Sequence, residues 1–183
     1  DQEMSRGLGD VYKRQVNEAS SKLRTCIATV SIAGDFREKL AAISRAGFTG
    51  IEIFEQDFLA YDGRAVDVGW LVQDYGLEIM LFQPFRDFEG LPEPYRSRAF
   101  DRAERKFDLM NSMDADLVLI CSNLSAHALG GIDRAADDLA ELGERAKARG
   151  IRMASRRWPG AVISMIIVTP GKWSDAPITV MSD

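Results

Sequence analysis

The sequence predicts an α/β protein, a partial (β/α)8 or TIM barrel of about four and a half βα units with parallel strands. Three observations carry that prediction. Between Cys26 and Gly150, short β-branched runs alternate with longer stretches of helical periodicity, the pattern of a parallel sheet with crossover helices. Each unit takes roughly 30 residues, and a whole barrel takes roughly 250, so the patterned region matches half of one. No GxGxxG follows a strand and no GxxxxGK[ST] occurs, so the alternative, a small open doubly wound sheet, lacks its nucleotide-binding fingerprints.

Strand one is CIATVS, Cys26 to Ser31. Gly34 and Asp35 then lead into a helix with Phe36, Leu40 and Ile43 on one face, Asp35 serving as N-cap and Gly47 as the stop. Strand two is GIEIFE, Gly50 to Glu55, followed by a loop and a helix from about Val66 to Tyr75 that Gly76 ends. Strand three is LEIMLFQ, Leu77 to Gln83, and the loop after it, PFRDFEGLPEP, is long and rich in Pro, Gly and charge. A helix from about Glu93 to Met113 places Phe100, Ala103, Phe107 and Met110 on an apolar stripe. Arg98, Asp101, Arg102, Arg105 and Lys106 are then expected on its solvated face. Strand four is DLVLICS, Asp116 to Ser122; a helix from about Asp133 to Arg149 follows, and Gly150 introduces IRM, the start of a fifth strand.

Three segments are expected on this basis: residues 1–20 as a non-native or disordered leader, 21–153 as the barrel half, and 154–183 as an aberrant tail. RGLGDVYKRQ, Arg6 to Gln15, resembles translated adaptor sequence and is set aside from fold reasoning. The tail shows no helical period, carries Pro159, Pro170 and Pro177, and has one strand-like piece, AVISMIIVT. Both ends are expected to pack poorly. A half barrel leaves two unpaired edges, so self-association through them is expected.

Composition narrows function. The 183 residues contain 23 Lys plus Arg against 28 Asp plus Glu, a net charge of −5, which argues against a phosphate-tracking nucleic-acid binder. No apolar run nears the roughly 18 residues of a membrane span and no signal-peptide pattern opens the chain, so no membrane partner and a cytoplasmic location are expected. Cys26 and Cys121 sit in apolar runs and read as buried free thiols. His127 is the single histidine, which excludes a His-rich zinc site; any metal would need oxygen ligands.

Barrel chemistry gathers at the carboxyl ends of the strands. Those ends offer Thr29 and Ser31, Glu52 and Glu55, Gln83, Arg86 and Asp87, then Ser122, Asn123 and His127. Glu52 lies inside an apolar run, so its carboxylate is either a working group or half of an internal ion pair. Alternation puts it on a face with Gly50 and Phe54, opposite Ile51 and Ile53. Arg86, between two phenylalanines and beside Asp87, suits bidentate contact with a substrate carboxylate, or a loop salt bridge to Asp87 or Glu89. His127 is a general base or a loop cap. The expected site is therefore Glu52 and His127 as catalytic groups, with Gln83, Arg86 and Asn123 binding substrate at one end of the sheet.

IATVSIAG, AGFTGIEIFEQD, LFQPFRDFEG, RAERKFDLM and DLVLICSN together resemble the bacterial 3-dehydroshikimate dehydratases of the xylose-isomerase-like barrel superfamily, from Arg24 to about Arg152. LFQPFRDFEG with RAERKFDLM is quite specific, whereas AGFTGIEI recurs among sugar isomerases and epimerases. The resemblance implies a lyase that converts 3-dehydroshikimate to protocatechuate and water with the help of Mg2+, Mn2+ or Co2+. It also implies that the metal ligands come from strands five to eight, beginning with a Glu just after GIRM. This chain has ASRRWPG there, with no Glu, so no metal ligand is assigned and the chain alone is expected to be inactive. WPGAVISMIIVTPGKW, back-translated in another frame, reads close to the family's continuation, which predicts a frameshift near residue 154. The alternatives are a sugar phosphate isomerase or epimerase, and a non-catalytic α/β fragment.

Overall fold

The structure, a computed structural model, describes residues 24–156, 166–169 and 172–173. Its seven strands form one sheet in chain order. The first five, β1 (Cys26–Ala28), β2 (Gly50–Phe54), β3 (Glu78–Phe85), β4 (Leu117–Cys121) and β5 (Arg152–Arg156), are parallel, as the alternating pattern predicts. Parallel strands need crossovers, and these are supplied by α1 (Phe36–Arg45), α2 (Glu55–Ala60), α3 (Ala65–Asp74), α4 (Tyr95–Ser112) and α5 (Ile132–Ala148).

The helix layer and one face of the sheet make the main core. Phe36, Leu40 and Ile43 of α1, Val68, Leu71 and Val72 of α3, and Phe100, Ala103, Phe107 and Met110 of α4 bury against Ile51, Ile53, Phe82, Val118 and Ile120. The opposite, inward face carries a smaller cluster of Leu81, Leu117, Leu119 and Ala154. Asp35 caps α1 as expected: its carboxylate accepts the Glu38 N–H at 2.9 Å while Glu38 reaches back to the Asp35 N–H, a complete capping box. Gly50 is required by close approach, since a Cβ there would lie 2.6 Å from the Met80 side chain and 2.8 Å from the Glu78 carbonyl.

Several boundaries differ from the sequence reading, each for a local reason. β1 stops at Ala28, and Thr29–Ser31 turn as a 3-10 helix, because the buried Thr29 hydroxyl takes over from the ladder by accepting the Phe54 N–H at 3.0 Å. Glu55 opens α2 instead of closing β2, so the predicted loop holds a helix. β3 continues through Pro84 to Phe85; the proline sits where the register against β4 shifts, a place where the missing N–H is tolerated. The two cysteines are half-buried rather than buried, because both lie toward the inward face.

The solvated-face reading of α4 is corrected at Lys106, which is buried. Its ammonium pairs with Glu55 and lies 5.0 and 5.5 Å from the Phe82 and Phe85 ring centres. Lys39 of α1 is buried in the same way and pairs with Asp57 at 2.7 Å. A cation with this little water needs a counter-charge, and α2, which buries no residue of its own, supplies both.

Among the described residues the sheet ends at β1 on one side and continues beyond β5 on the other. β6 (Ile166–Thr169), the IIVT of AVISMIIVT, pairs antiparallel with β5, and β7 (Lys172–Trp173) pairs with β6, because an open row of backbone groups is satisfied by the next extended segment that reaches it. β5 itself runs through Ala154 and Ser155 to Arg156. The leader, 1–20, and the tail at 157–165, 170–171 and 174–183 lie outside the described residues.

Two substitutions check this account. Asp57→Asn removes the partner of buried Lys39 and is expected to cost about 3 kcal/mol of stability, whereas Asp35→Ala loses a cap and should cost about 1 kcal/mol, both read by urea unfolding. Equal costs would mean that the Lys39 pair is no more than a surface contact.

Candidate functional site

Glu52 lies in the middle of β2, with Ile51 and Ile53 turned into the helix-facing core, so its carboxylate takes the inward face. Gln83, near the end of the neighbouring strand β3, donates from Nε2 to Glu52 Oε2 at 2.9 Å. Cys26 of β1 donates from Sγ to Glu52 Oε1 at 3.7 Å. Three adjacent strands thus converge on one carboxylate. Burial first, and then the charge and hydrogen bond of Glu52, push the Cys26 thiol up to about 11. The thiol is therefore kept protonated as a donor, and the carboxylate stays tethered from both sides.

Arg86 follows directly after β3 and is exposed. The two phenylalanines beside it do not grip its guanidinium, as its sequence setting suggested. Phe85 and Phe88 are buried, Phe88 packing edge-on against Phe100 at 5.0 Å, so both anchor the backbone. The ring of Phe85 is instead covered by Arg102, whose guanidinium carbon lies 4.9 Å from its centre. The loop salt bridge is absent too: Asp87 and Glu89 each turn one carboxylate oxygen to the loop after β4 and form no ion pair with Arg86. Asp87 Oδ1 accepts the Leu124 N–H and Glu89 Oε1 accepts the Asn123 N–H, each at 2.8 Å. Arg86 lines a cleft of about 310 Å3 with Glu55, Gln56, Asp87, Arg102 and Lys106.

Asn123, two residues past β4, locks this arrangement. Its Nδ2 donates to the Glu89 carbonyl, and its Oδ1 accepts the Ser125 N–H at 2.8 Å. The loops after β3 and β4 are therefore one unit, extended by Gly90, whose carbonyl accepts the Leu129 N–H and whose own N–H donates to buried Asp138. His127 is exposed on the second loop, its ring stacked at 4.3 Å on Tyr95 at the start of α4. Glu52 and Gln83 are thus in direct contact. Arg86 and Asn123 belong to the linked loops at the carboxyl edge of the sheet, and His127 stands further out on the same loops.

Sequence reasoning missed Lys106, Arg102 and Asp138. Lys106 and Asp138 were legible as charges on apolar stripes: Lys106 is three residues after Ala103 and four before Met110, and Asp138 is four before Leu142. Arg102 gave no such signal.

A family model described as xylose isomerase-like TIM barrel matches residues 40–173. The chain belongs to that family. Within it, two curated proteins named 3-dehydroshikimate dehydratase are 56% identical (Pseudomonas aeruginosa) and 52% identical (Pseudomonas putida) over 131 residues. That stretch is 72% of this chain and 21% of each relative, so the chain spans about a fifth of their length. A solved xylose isomerase-like TIM barrel/4-hydroxyphenylpyruvate dioxygenase fusion protein is 51% identical, with a TM-score of 0.71 over 74% of this chain and 22% of its own. IOLI protein, solved with a binding zinc atom, shares the fold at 15% identity and a TM-score of 0.63, over 73% of this chain and 51% of its own.

A divalent ion of the kind seen in that zinc-bound member does not fit the residues described. Among them no group of three or more His, Cys, Asp or Glu is arranged to hold a metal, and Glu52 is engaged by Gln83 and Cys26. No helix among the described residues is long and apolar enough to cross a membrane.

The Cys26 thiol gives the test of this geometry. With the folded pKa raised to about 11 from 9.0, the folded chain holds its proton longer than the unfolded chain. This contribution to stability is full below pH 9 and is lost as pH rises through about 11. Alkylation of Cys26 by iodoacetamide at pH 8 is expected to be slow, and Glu52→Gln is expected to speed it several-fold by removing the neighbouring charge. No change in rate would mean that Glu52 does not hold the thiol.

Proposed function

We propose that this chain forms the first part of a 3-dehydroshikimate dehydratase barrel, which removes water from 3-dehydroshikimate to give protocatechuate. The observation that carries the reading is the exposed Arg86 guanidinium, whose neighbouring carboxylates are both committed to the loop after β4. An exposed arginine without an ion pair among the described residues, at the carboxyl edge of a barrel, suits a small carboxylate, which both this substrate and its product carry. The two dehydratase relatives support the same choice of substrate.

The roles follow from the contacts. Arg86 binds the substrate carboxylate. Gln83, with Nε2 held by Glu52, keeps its amide oxygen in a set direction as an acceptor for a substrate hydroxyl. Asn123 serves by locking the two loops, since both ends of its amide are in use. Glu52 and His127 are the proton-carrying groups available for taking the proton beside the ketone and for assisting departure of the hydroxyl. The divalent ion, Mg2+, Mn2+ or Co2+, has no ligand set among the described residues, and no step is assigned through it.

The test joins residues 24–153 of this chain to the remainder of the barrel from the Pseudomonas aeruginosa relative. With a divalent metal and 3-dehydroshikimate, the chimera is expected to form protocatechuate, followed by absorbance, and Arg86→Ala is expected to raise KM about 30-fold. The present chain alone is expected to form none. A folded chimera without product overturns the dehydratase reading; product from the chain alone overturns the placement of the metal site.

A further inference from the structure

We propose that Arg102 of α4 is a positioning residue for Arg86, setting the backbone from which that guanidinium reaches a carboxylate. This rests on the reading of Arg86 as the carboxylate-binding group, and it identifies what holds that group in place.

Arg102 Nη2 donates to two successive carbonyls, those of Arg86 and Asp87, at 2.5 and 2.7 Å. Successive peptides in an extended chain turn their carbonyls to opposite sides, so one nitrogen can collect both only if the chain between them is sharply turned. The turn is at Asp87, whose φ of 54° is in the left-handed region that L side chains enter at a cost. Two contacts repay that cost: the Arg102 guanidinium on the carbonyl side and the Leu124 N–H on the Asp87 carboxylate. Removing the first leaves two carbonyls without their charged donor and frees Asp87 to relax toward an ordinary conformation.

Arg102 is itself held. It lies over the buried ring of Phe85, and Lys106, one helical turn later, sits against the same ring and pairs with Glu55. α4 thus presents two cations at i, i+4 spacing on one aromatic, one fixing the exit of β2 and the other the exit of β3. Arg102 has its guanidinium committed to backbone and ring, whereas Arg86 keeps its own for a ligand.

The test uses this chain with protocatechuate, an aromatic carboxylate, and with catechol, which lacks the carboxylate, each titrated by calorimetry. Arg86→Ala should weaken protocatechuate and leave catechol unchanged. Arg102→Met is expected to weaken protocatechuate about tenfold, also without effect on catechol, and to cost nothing further in the Arg86→Ala background. Arg102→Lys, which keeps one donor, should recover part of the loss. If Arg102→Met does not fold, as judged by circular dichroism, Arg102→Gln takes its place. If Arg86→Ala changes nothing, or protocatechuate does not bind, the carboxylate reading fails and takes the inference with it. If Arg86→Ala weakens binding while Arg102→Met does not, or the two losses simply add, the carboxylate reading stands and the positioning role is overturned.

Discussion

Two lysine ammonium groups buried in the helix layer set most of what is distinctive here. Lys39 on α1 and Lys106 on α4 approach α2 and take Asp57 and Glu55 from its first turn. Leaving either cation unpaired at such burial would cost several kcal/mol, so charge, together with Phe58 packed on Phe82, fixes α2, although no residue of that helix is fully buried. Burial pulls the Lys106 pKa down and the Glu55 pairing pushes it back up, with burial the larger effect. Phe82 and Phe85 face the ammonium and add to its support. The exit of β2 is therefore bound to the helix that follows β3, and two successive βα units share one polar support.

The same logic, a charge spent on backbone where a loop must hold its shape, recurs at the carboxyl edge. Asp87, Glu89 and Asp138 each accept a main-chain N–H, from Leu124, Asn123 and Gly90. Asp138 is further paired with Arg96 at 2.7 Å, which also reaches Glu141 and lies over the Phe100 ring. Loops at barrel ends carry function because a rigid scaffold presents them. Here the scaffold extends into the loops themselves, and the carboxylates nearest Arg86 are consumed in building it. Arg86 stays exposed and without an ion pair among the described residues, which is the feature that makes a carboxylate ligand chemically sensible.

The inward face has a different character. Apart from Leu81, Leu117, Leu119 and Ala154, it carries Glu52, Gln83 and Cys26, a polar group joined across three strands. A carboxylate in such a place is held by donors, one of them a thiol whose proton is retained first by burial and then by the carboxylate beside it. The family membership places this face toward a barrel interior, where inward residues of neighbouring strands stack in layers. Gln83 and Glu52 then form one polar step within an otherwise apolar layer.

The sequence by itself determined the fold class, the order of the parallel strands and the helix stripes, since each rests on periodicity: alternation for strands, 3.6 for helices, and Gly or Asp at the ends. It also placed Glu52 on the correct face, because alternation along GIEIF leaves no other choice. Lys39, Lys106 and Asp138 were readable in principle as charges on buried stripes, although reading a charge as solvated is the ordinary assumption. Only the tertiary structure decided where the charges go. That Arg102 would take two carbonyls and the Phe85 ring, that Asp87 and Glu89 would serve another loop, and that β6 would cover the edge of β5 are all pairings between residues 11 or more positions apart. Each is a competition among several possible partners, settled by which of them the packed helices bring within about 3 Å, and local sequence carries no record of that distance.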